Sequence, residues 1–312
     1  LTYALVIYIT EYHLPFGALT VASCDTMRRK NMPLDFTAEE LIPEHINFPV
    51  EFEPTKYNKS KYVINGNTGD YLGIVGTKFN CVDHGTFFTR AHNAVSEHLG
   101  EEFCDNMNIN FRAARNNAWT MMDMIMPNVL RKIQSDKHTT TIAPRLIALH
   151  GIDGSCSNQV YFGSIDFFCT NGMITGDFDQ VKRKNTSNFD IENFIKELKN
   201  TMSDFNESAD KYQSWAEKHL YTMDVKEMLG HIMSKQMSEK MFSLYNHEAA
   251  TRGQNVWALY SAFTNYSSHS DTGNGFALKN TGNDTQAENM WKREQEVAKW
   301  TSAPQFRQLV AA

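Results

Sequence analysis

The 312-residue sequence has no paired Cys-x-x-Cys spacing, and its five cysteines stand apart at positions 24, 81, 104, 156 and 169. That excludes a zinc ribbon and points to a reduced, cytosolic set rather than a disulfide framework. A Walker phosphate loop, a Rossmann fingerprint, a His-Glu-x-x-His zinc helix and a nucleophile elbow are all missing, so no familiar catalytic motif assigns a reaction. His84, His150, His247 and His269 lack close ligand spacing, and neither a metal nor a cofactor is expected. Long hydrophobic runs are absent too. Ala4 to Thr10 is too short to span a bilayer and has no basic stretch before it, so neither a membrane span nor a secretory signal is expected. Nor is there an excess of positive charge: 30 Lys and Arg stand against 36 Asp and Glu, a net charge of -6. A mildly acidic chain is no bulk polyanion binder, so any nucleic-acid surface must be a local patch.

What is present describes a globular chain, 41% hydrophobic and 21% charged. Residues 1–26 contain no Lys or Arg and differ from the charged stretch that follows. They are expected to be a non-native upstream extension, with Met27 or Met32 as the start; the rival reading is an N-terminal strand that extends a sheet. Residues 27–61, with the Pro- and Glu-rich "FPVEFEPTKYNKSK", read as an extended arm. A strand-rich core is expected over 62–187. In it "YLGIVGTKFNCVD" and "GTFF" suggest short strands about the turn Asp83-His84-Gly85, and "TRAHNAVSEHLG" a helix ended by Gly100. "NINFRAA" and "WTMMDMIMPN" around Arg115-Asn116-Asn117 predict a hairpin. A second hairpin is predicted from the alternation of Leu146, Ala148 and His150, the turn at Asp153-Gly154 and the return strand from Val160 to Phe167. Asn171-Gly172 reads as a turn or helix entry.

Helical periodicity takes over near Lys184. Ile191, Phe194, Ile195, Leu198, Met202, Phe205, Ala209, Tyr212 and Trp215 predict one long helix from about Asn188 to Leu220. A helical layer over 188–270 is expected to pack on the core. Its second stripe, Val225 to Leu244, suits either the cover of a sheet face or a homo-oligomer seam through long helices. "NVWALYSAFTNYSSH" gives a further helix. Residues 271–312 read as a mobile loop followed by a charged amphipathic helix. The fold class predicted is α+β: a twisted antiparallel sheet of hairpins backed on one face by long C-terminal helices.

"LGIVGTKFNCVDHGTFF", "LHGIDGS", "FFCTNGM" and "WALYSAFTNYSSH", in this order and spacing, resemble an uncharacterised phage- and plasmid-like protein family, domain of unknown function 932. Members of that family carry a His-Asp-Gly-Ser turn and a Trp-x-x-x-Asn-Ala-x-Thr helix; here Ile152 and Ser261 stand at the His and Asn positions. The resemblance implies a mobile-element origin and a cytoplasmic setting, and it brings no established activity.

Two classes of function follow. The first is a DNA-metabolism accessory that holds single-stranded DNA by phosphate contacts and base stacking. Its candidates are Arg112, Arg115, Arg131, Lys132, Lys137, Arg145, Lys182, Arg183 and Lys184, with Trp119 and Tyr161 as stacking faces. The second is an enzyme whose polar side chains His150, Asp153, Cys169, Asn171 and His269 converge only in the folded chain. Asp153 has a sufficient role in its turn, and Cys169 beside two phenylalanines suits a small buried hydrophobe. A phage assembly or structural protein is the third possibility.

Overall fold

Alternation of buried and exposed positions in the middle of the chain produces antiparallel hairpins, and the computed structural model describes residues 37–56, 59–99, 107–167, 171–173, 180–201, 205–269 and 283–311. Three strands, β1 (Val50–Pro54), β2 (Ser60–Asn65) and β3 (Tyr71–Gly76), form a small antiparallel sheet in that order. The stretch read as an arm therefore contains β1, which pairs with β2 from Val50↔Asn65 to Pro54↔Lys61. Helix α1 (Ala38–Leu41) precedes this sheet and α2 (His84–Leu99) follows it. "GTFF" lies inside α2, not in a strand. Asp83 starts that helix: its Oδ1 accepts from the Thr86 amide at 2.6 Å, satisfying one of the unpaired N–H groups of a first turn. Phe87, Phe88, Ala91 and Val95 then share the buried face.

The larger sheet contains β4 (Asn108–Ala114), β5 (Trp119–Ile125), β6 (Arg131–Gln134), β7 (Thr139–Gly151), β8 (Asn158–Asp166), β9 (Asn171–Met173) and β10 (Gln180–Arg183). Its order is β10-β8-β7-β5-β4, with β6 on β7 and β9 on β8. All its pairings are antiparallel, and both hairpins expected from alternation are present. Asn171-Gly172 belongs to β9 instead of a turn. The β4–β5 turn has three consecutive non-glycine residues at positive φ, Arg115 (56°), Asn116 (52°) and Asn117 (65°).

Seven helical elements complete the described chain order: α3 (Ile191–Thr201), α4 (Phe205–Glu217), α5 (Thr222–Ile232), α6 (Lys235–Arg252), α7 (Val256–His269), α8 (Asn283–Ser302) and α9 (Pro304–Ala311). The single long helix expected from 188 to 220 is thus two, and they serve different cores. Phe194 and Leu198 of α3 join Phe87, Phe88 and Val95 of α2 against Met122, Leu146, Ala148 and Val160 on one sheet face. Tyr212 and Trp215 of α4 instead pack with α5, α6 and α7 around Trp257 and Tyr260. The other sheet face, with Trp119, Met121, Ile147 and Tyr161, is covered by Trp291 and Met290 of α8. Helices therefore cover both faces of the larger sheet, a correction to the one-sided layer expected from pattern. With both faces covered, β5 and the part of β7 from Ile142 to Gly151 are buried at nearly every position. Val225, Met228, Leu229 and Met241, weighed as an oligomer seam, are buried in the chain's own core. The loop expected to be mobile falls mostly outside the described residues, as do residues 1–26. No helix among the described residues is long and apolar enough to cross a membrane.

Candidate functional site

Two histidines meet where α2 begins and β7 ends. His84 Nε2 lies 2.8 Å from the Asn117 carbonyl oxygen, and a carbonyl only accepts, so that nitrogen carries the hydrogen. In a neutral ring His84 Nδ1 is then the acceptor, and His150 Nδ1–H donates to it across 2.9 Å. His150 Nε2 is left as a lone pair, buried without a hydrogen-bond partner. Neutrality follows from the surroundings. Burial lowers the His84 pKa to about 4, outweighing the support of the Asn117 carbonyl and Asp83. Burial, and next the neighbouring His84, hold His150 well below the usual imidazole range. Phe87 stacks on His150 at 4.5 Å and Phe88 on His84 at 5.8 Å. The pair joins α2, the β4–β5 turn and β7 in one buried junction.

The remaining polar candidates do not converge on it. Asp153 accepts from the Ser155 amide at 2.9 Å and lies 3.5 Å from Arg115, so it organises its loop. Ser268, next to His269, accepts from the Gly172 amide at 3.1 Å, which puts His269 beside β9, the strand that begins at Asn171. Since β9 pairs with 164–166 of β8, and these face Ile142 to Pro144 on β7, His150 is farther along by roughly 20 Å at ~3.3 Å per residue. Cys169 lies outside the described residues. The Cys81 and Cys156 thiols are pushed up to about 12 by burial and are not thiolate nucleophiles near neutral pH. No group of three or more His, Cys, Asp or Glu side chains among the described residues could hold a metal ion. An open polar depression of about 420 Å³, lined by residues including Asp136, Lys137, His219 and Asn246, contains none of the proposed catalytic candidates.

The basic and aromatic candidates divide sharply. Trp119 and Tyr161 are 2% and 1% exposed, so neither offers a ring face to a base. Arg145 is buried between Asp123, at 2.8 Å from both Nε and Nη2, and Glu294 at 3.1 Å. Burial opposes its charge, but the two carboxylates outweigh that and raise its pKa. Arg115 pairs with Glu288, Arg131 with Asp210 and Arg183 with Glu197. The exposed Arg112 directs Nη1 to the Met290 sulfur at 2.8 Å. Lys132 and Lys137 lie on the β6–β7 hairpin, the latter 3.5 Å from the Ala250 carbonyl near the C-terminal end of α6, where a cation is favoured.

Lys182 and Lys184 are exposed on and just after β10, and neither has a salt-bridge partner among the described residues. They belong to a basic rim that local charge counting missed. The Ser187 amide donates to the Lys78 carbonyl at 2.7 Å, tying the segment after β10 to the β3–α2 connection. Lys61 reaches over the Phe52 ring at 3.8 Å, and Phe52 meets Phe79 edge-on at 6.3 Å. Lys56 and Lys59 extend the rim along the β1–β2 hairpin, while Glu51 and Glu53 bound it on β1. The signal available in sequence was "TKYNKSKY", a basic run interleaved with tyrosines.

Two antiparallel sheets, the larger covered on both faces by helices, define an α+β protein. The chain belongs to the family described as Domain of unknown function (DUF932), whose model matches residues 71–302. The match runs from the first residue of β3 to the last of α8 and includes the β4–β5 and β7–β8 hairpins and the His84–His150 pair. No curated protein and no solved structure matches the chain.

Proposed function

We propose that the chain is a phage- or plasmid-derived accessory of DNA metabolism in the cytoplasm, holding single-stranded DNA without strong sequence preference across the Lys61–Lys78–Lys182–Lys184 rim. One observation carries this reading: Lys61 lies over the Phe52 ring, which meets Phe79 next to Lys78, and the Ser187–Lys78 hydrogen bond ties the segment that follows the exposed Lys182 and Lys184 to the same connection, with no salt bridge to these lysines among the described residues. Ammonium groups would contact phosphates while the rings accept a base, the combination that gives sequence-tolerant binding to a single strand. The enzyme alternative has weaker support, because His150 is sealed in its junction, Asp153 is engaged by its own loop and by Arg115, and Asn171 and His269 lie far along the sheet.

Fluorescence anisotropy of a labelled oligonucleotide at two salt concentrations tests the reading. Binding is expected at low salt and should weaken as salt rises, with a shallower slope than for a protein making about six to ten phosphate contacts. Lys61→Ala, Lys182→Ala and Lys184→Ala together should weaken all sequences alike, and Phe79→Ala should remove about 1 to 3 kcal/mol where a base stacks. Absence of binding at low salt overturns the proposal.

A further inference from the structure

Besides His150 Nε2, two asparagine side chains hold buried polar atoms that no described residue partners: both amide atoms of Asn158 and Oδ1 of Asn185. The sheet brings the three together. Ala148 faces Val160 across the β7–β8 ladder, whose last pair is Leu149↔Gln159, so His150 and Asn158 come next on their strands and project from the same sheet face. Asn185 lies two residues beyond Arg183, the partner of Asn158 on β10. Its Nδ2 donates at 2.7 Å to the carbonyl of Gly151, next to His150. A carbonyl only accepts, which fixes the orientation of that amide and leaves Oδ1 as its free end. His150 and Asn158 are fully buried and Asn185 nearly so, with Phe87 of α2 stacked on the His150 ring. Unpaired polar groups at such depth are costly in a folded chain.

We propose that His150 Nε2, Asn158 and Asn185 form an internal binding site for a water molecule, which links the histidine junction to the segment following β10. The groups present set the class of occupant. They offer three acceptors, His150 Nε2, Asn158 Oδ1 and Asn185 Oδ1, against the single donor group Asn158 Nδ2, so an anion finds too little to receive it. None of the three is a carboxylate, and a cation would be buried among them without a counter-charge. Water brings two hydrogens and two lone pairs and takes about three such partners when buried. Side chains opposed on neighbouring strands stand ~5 Å apart at Cβ, a gap that one water bridges. Its hydrogen also extends a chain that runs in one direction. Water donates to His150 Nε2, His150 Nδ1–H to His84 Nδ1, and His84 Nε2–H to the Asn117 carbonyl. The β4–β5 turn, both histidines and the segment behind Lys184 then belong to one hydrogen-bonded line.

A crystal structure of the full chain that shows ordered solvent, together with nitrogen-15 NMR of the histidine rings, tests the site. The expected result is a solvent peak within about 3.2 Å of His150 Nε2 and of at least one of the two asparagine side chains, with the His150 hydrogen on Nδ1. In solution the same water should show cross-relaxation to the Asn158 side-chain amide protons. Asn158→Leu removes two of the four polar atoms and fills their space, and it should abolish the peak. Asn246→Leu, in the open depression lined by Asp136 and His219, should leave the peak in place. Where Asn158→Leu does not fold, the peak and the cross-relaxation of the unaltered chain carry the test. No solvent peak at the site overturns the proposal. An Asn158 amide turned directly onto His150 Nε2 overturns it too, as does a hydrogen on His150 Nε2 or an unchanged water in Asn158→Leu.

Discussion

At the loop end of the larger sheet His84 and His150 are held as two neutral rings sharing one hydrogen, whereas in its opposite half Arg145 and Arg252 each keep a full charge facing two carboxylates. Arg145 meets Asp123 of β5 and Glu294 of α8; Arg252 of α6 meets Asp166 of β8 at 2.8 Å and Glu248 of its own helix at 2.9 Å. The chemistry of the side chains explains the contrast. An imidazole can discard its proton within the physiological range and so survive burial without a counter-ion, while a guanidinium cannot. The consequence for assembly is that the arginines link helices to strands through charge, and the histidines link α2 to β7 through a neutral hydrogen bond.

Breaking the charged half should have the larger effect. Arg252→Met leaves Asp166 and Glu248 buried without their cation and should cost about 3 to 5 kcal/mol, read from the shift of the urea midpoint. A loss under about 1 kcal/mol would mean that the site relaxes to admit water. The histidine end should respond to pH instead. The unfolded chain takes up protons below the ordinary imidazole value of ~6.5, but buried His84 resists protonation until about 4. Stability is thus fully present above the unfolded value and falls with acidification across that window, by at most ~1.4 kcal/mol per pH unit for each such histidine. His150→Gln should reduce that slope by one histidine's share in denaturation series at pH 7, 6 and 5; an unchanged slope would remove His150 from the account. The smallest effect is expected at the surface. Arg131 and Asp210 form an exposed pair at 2.8 Å, and Arg131→Ala should change the thermal midpoint by the equivalent of less than about 1 kcal/mol.

Sequence pattern revealed the two hairpins because period-two alternation survives where β4 and β8 face partly to solvent. It misread "GTFF" because a short apolar run suits either a strand or a helix. The clue to the helix was Asp83 before Phe87, Phe88, Ala91 and Val95, whose spacing continues the stripe into α2. The break between α3 and α4 was hidden because Leu198, Phe205 and Ala209 keep one helical rhythm while packing into two different cores. The site was less legible still. His84 and His150 are separated by 66 residues, and Arg145 by 149 residues from Glu294, so no local count could show that one pair is neutral or that the arginine is already occupied. Trp119 and Tyr161 resembled stacking faces because nothing in their neighbourhood announces α8, which covers them from the other end of the chain.

The β4–β5 turn makes the histidine junction a matter of chirality. Arg115, Asn116 and Asn117 hold three successive backbone units on the side of φ that L-amino acids disfavour, at about 1 to 2 kcal/mol per residue. The carbonyl that fixes the His84 tautomer belongs to the last of them. A single hydrogen position between two imidazoles is therefore referenced to a short stretch of mirror-image backbone. The handedness of a surface turn thus selects which nitrogen of a buried ring bears its hydrogen.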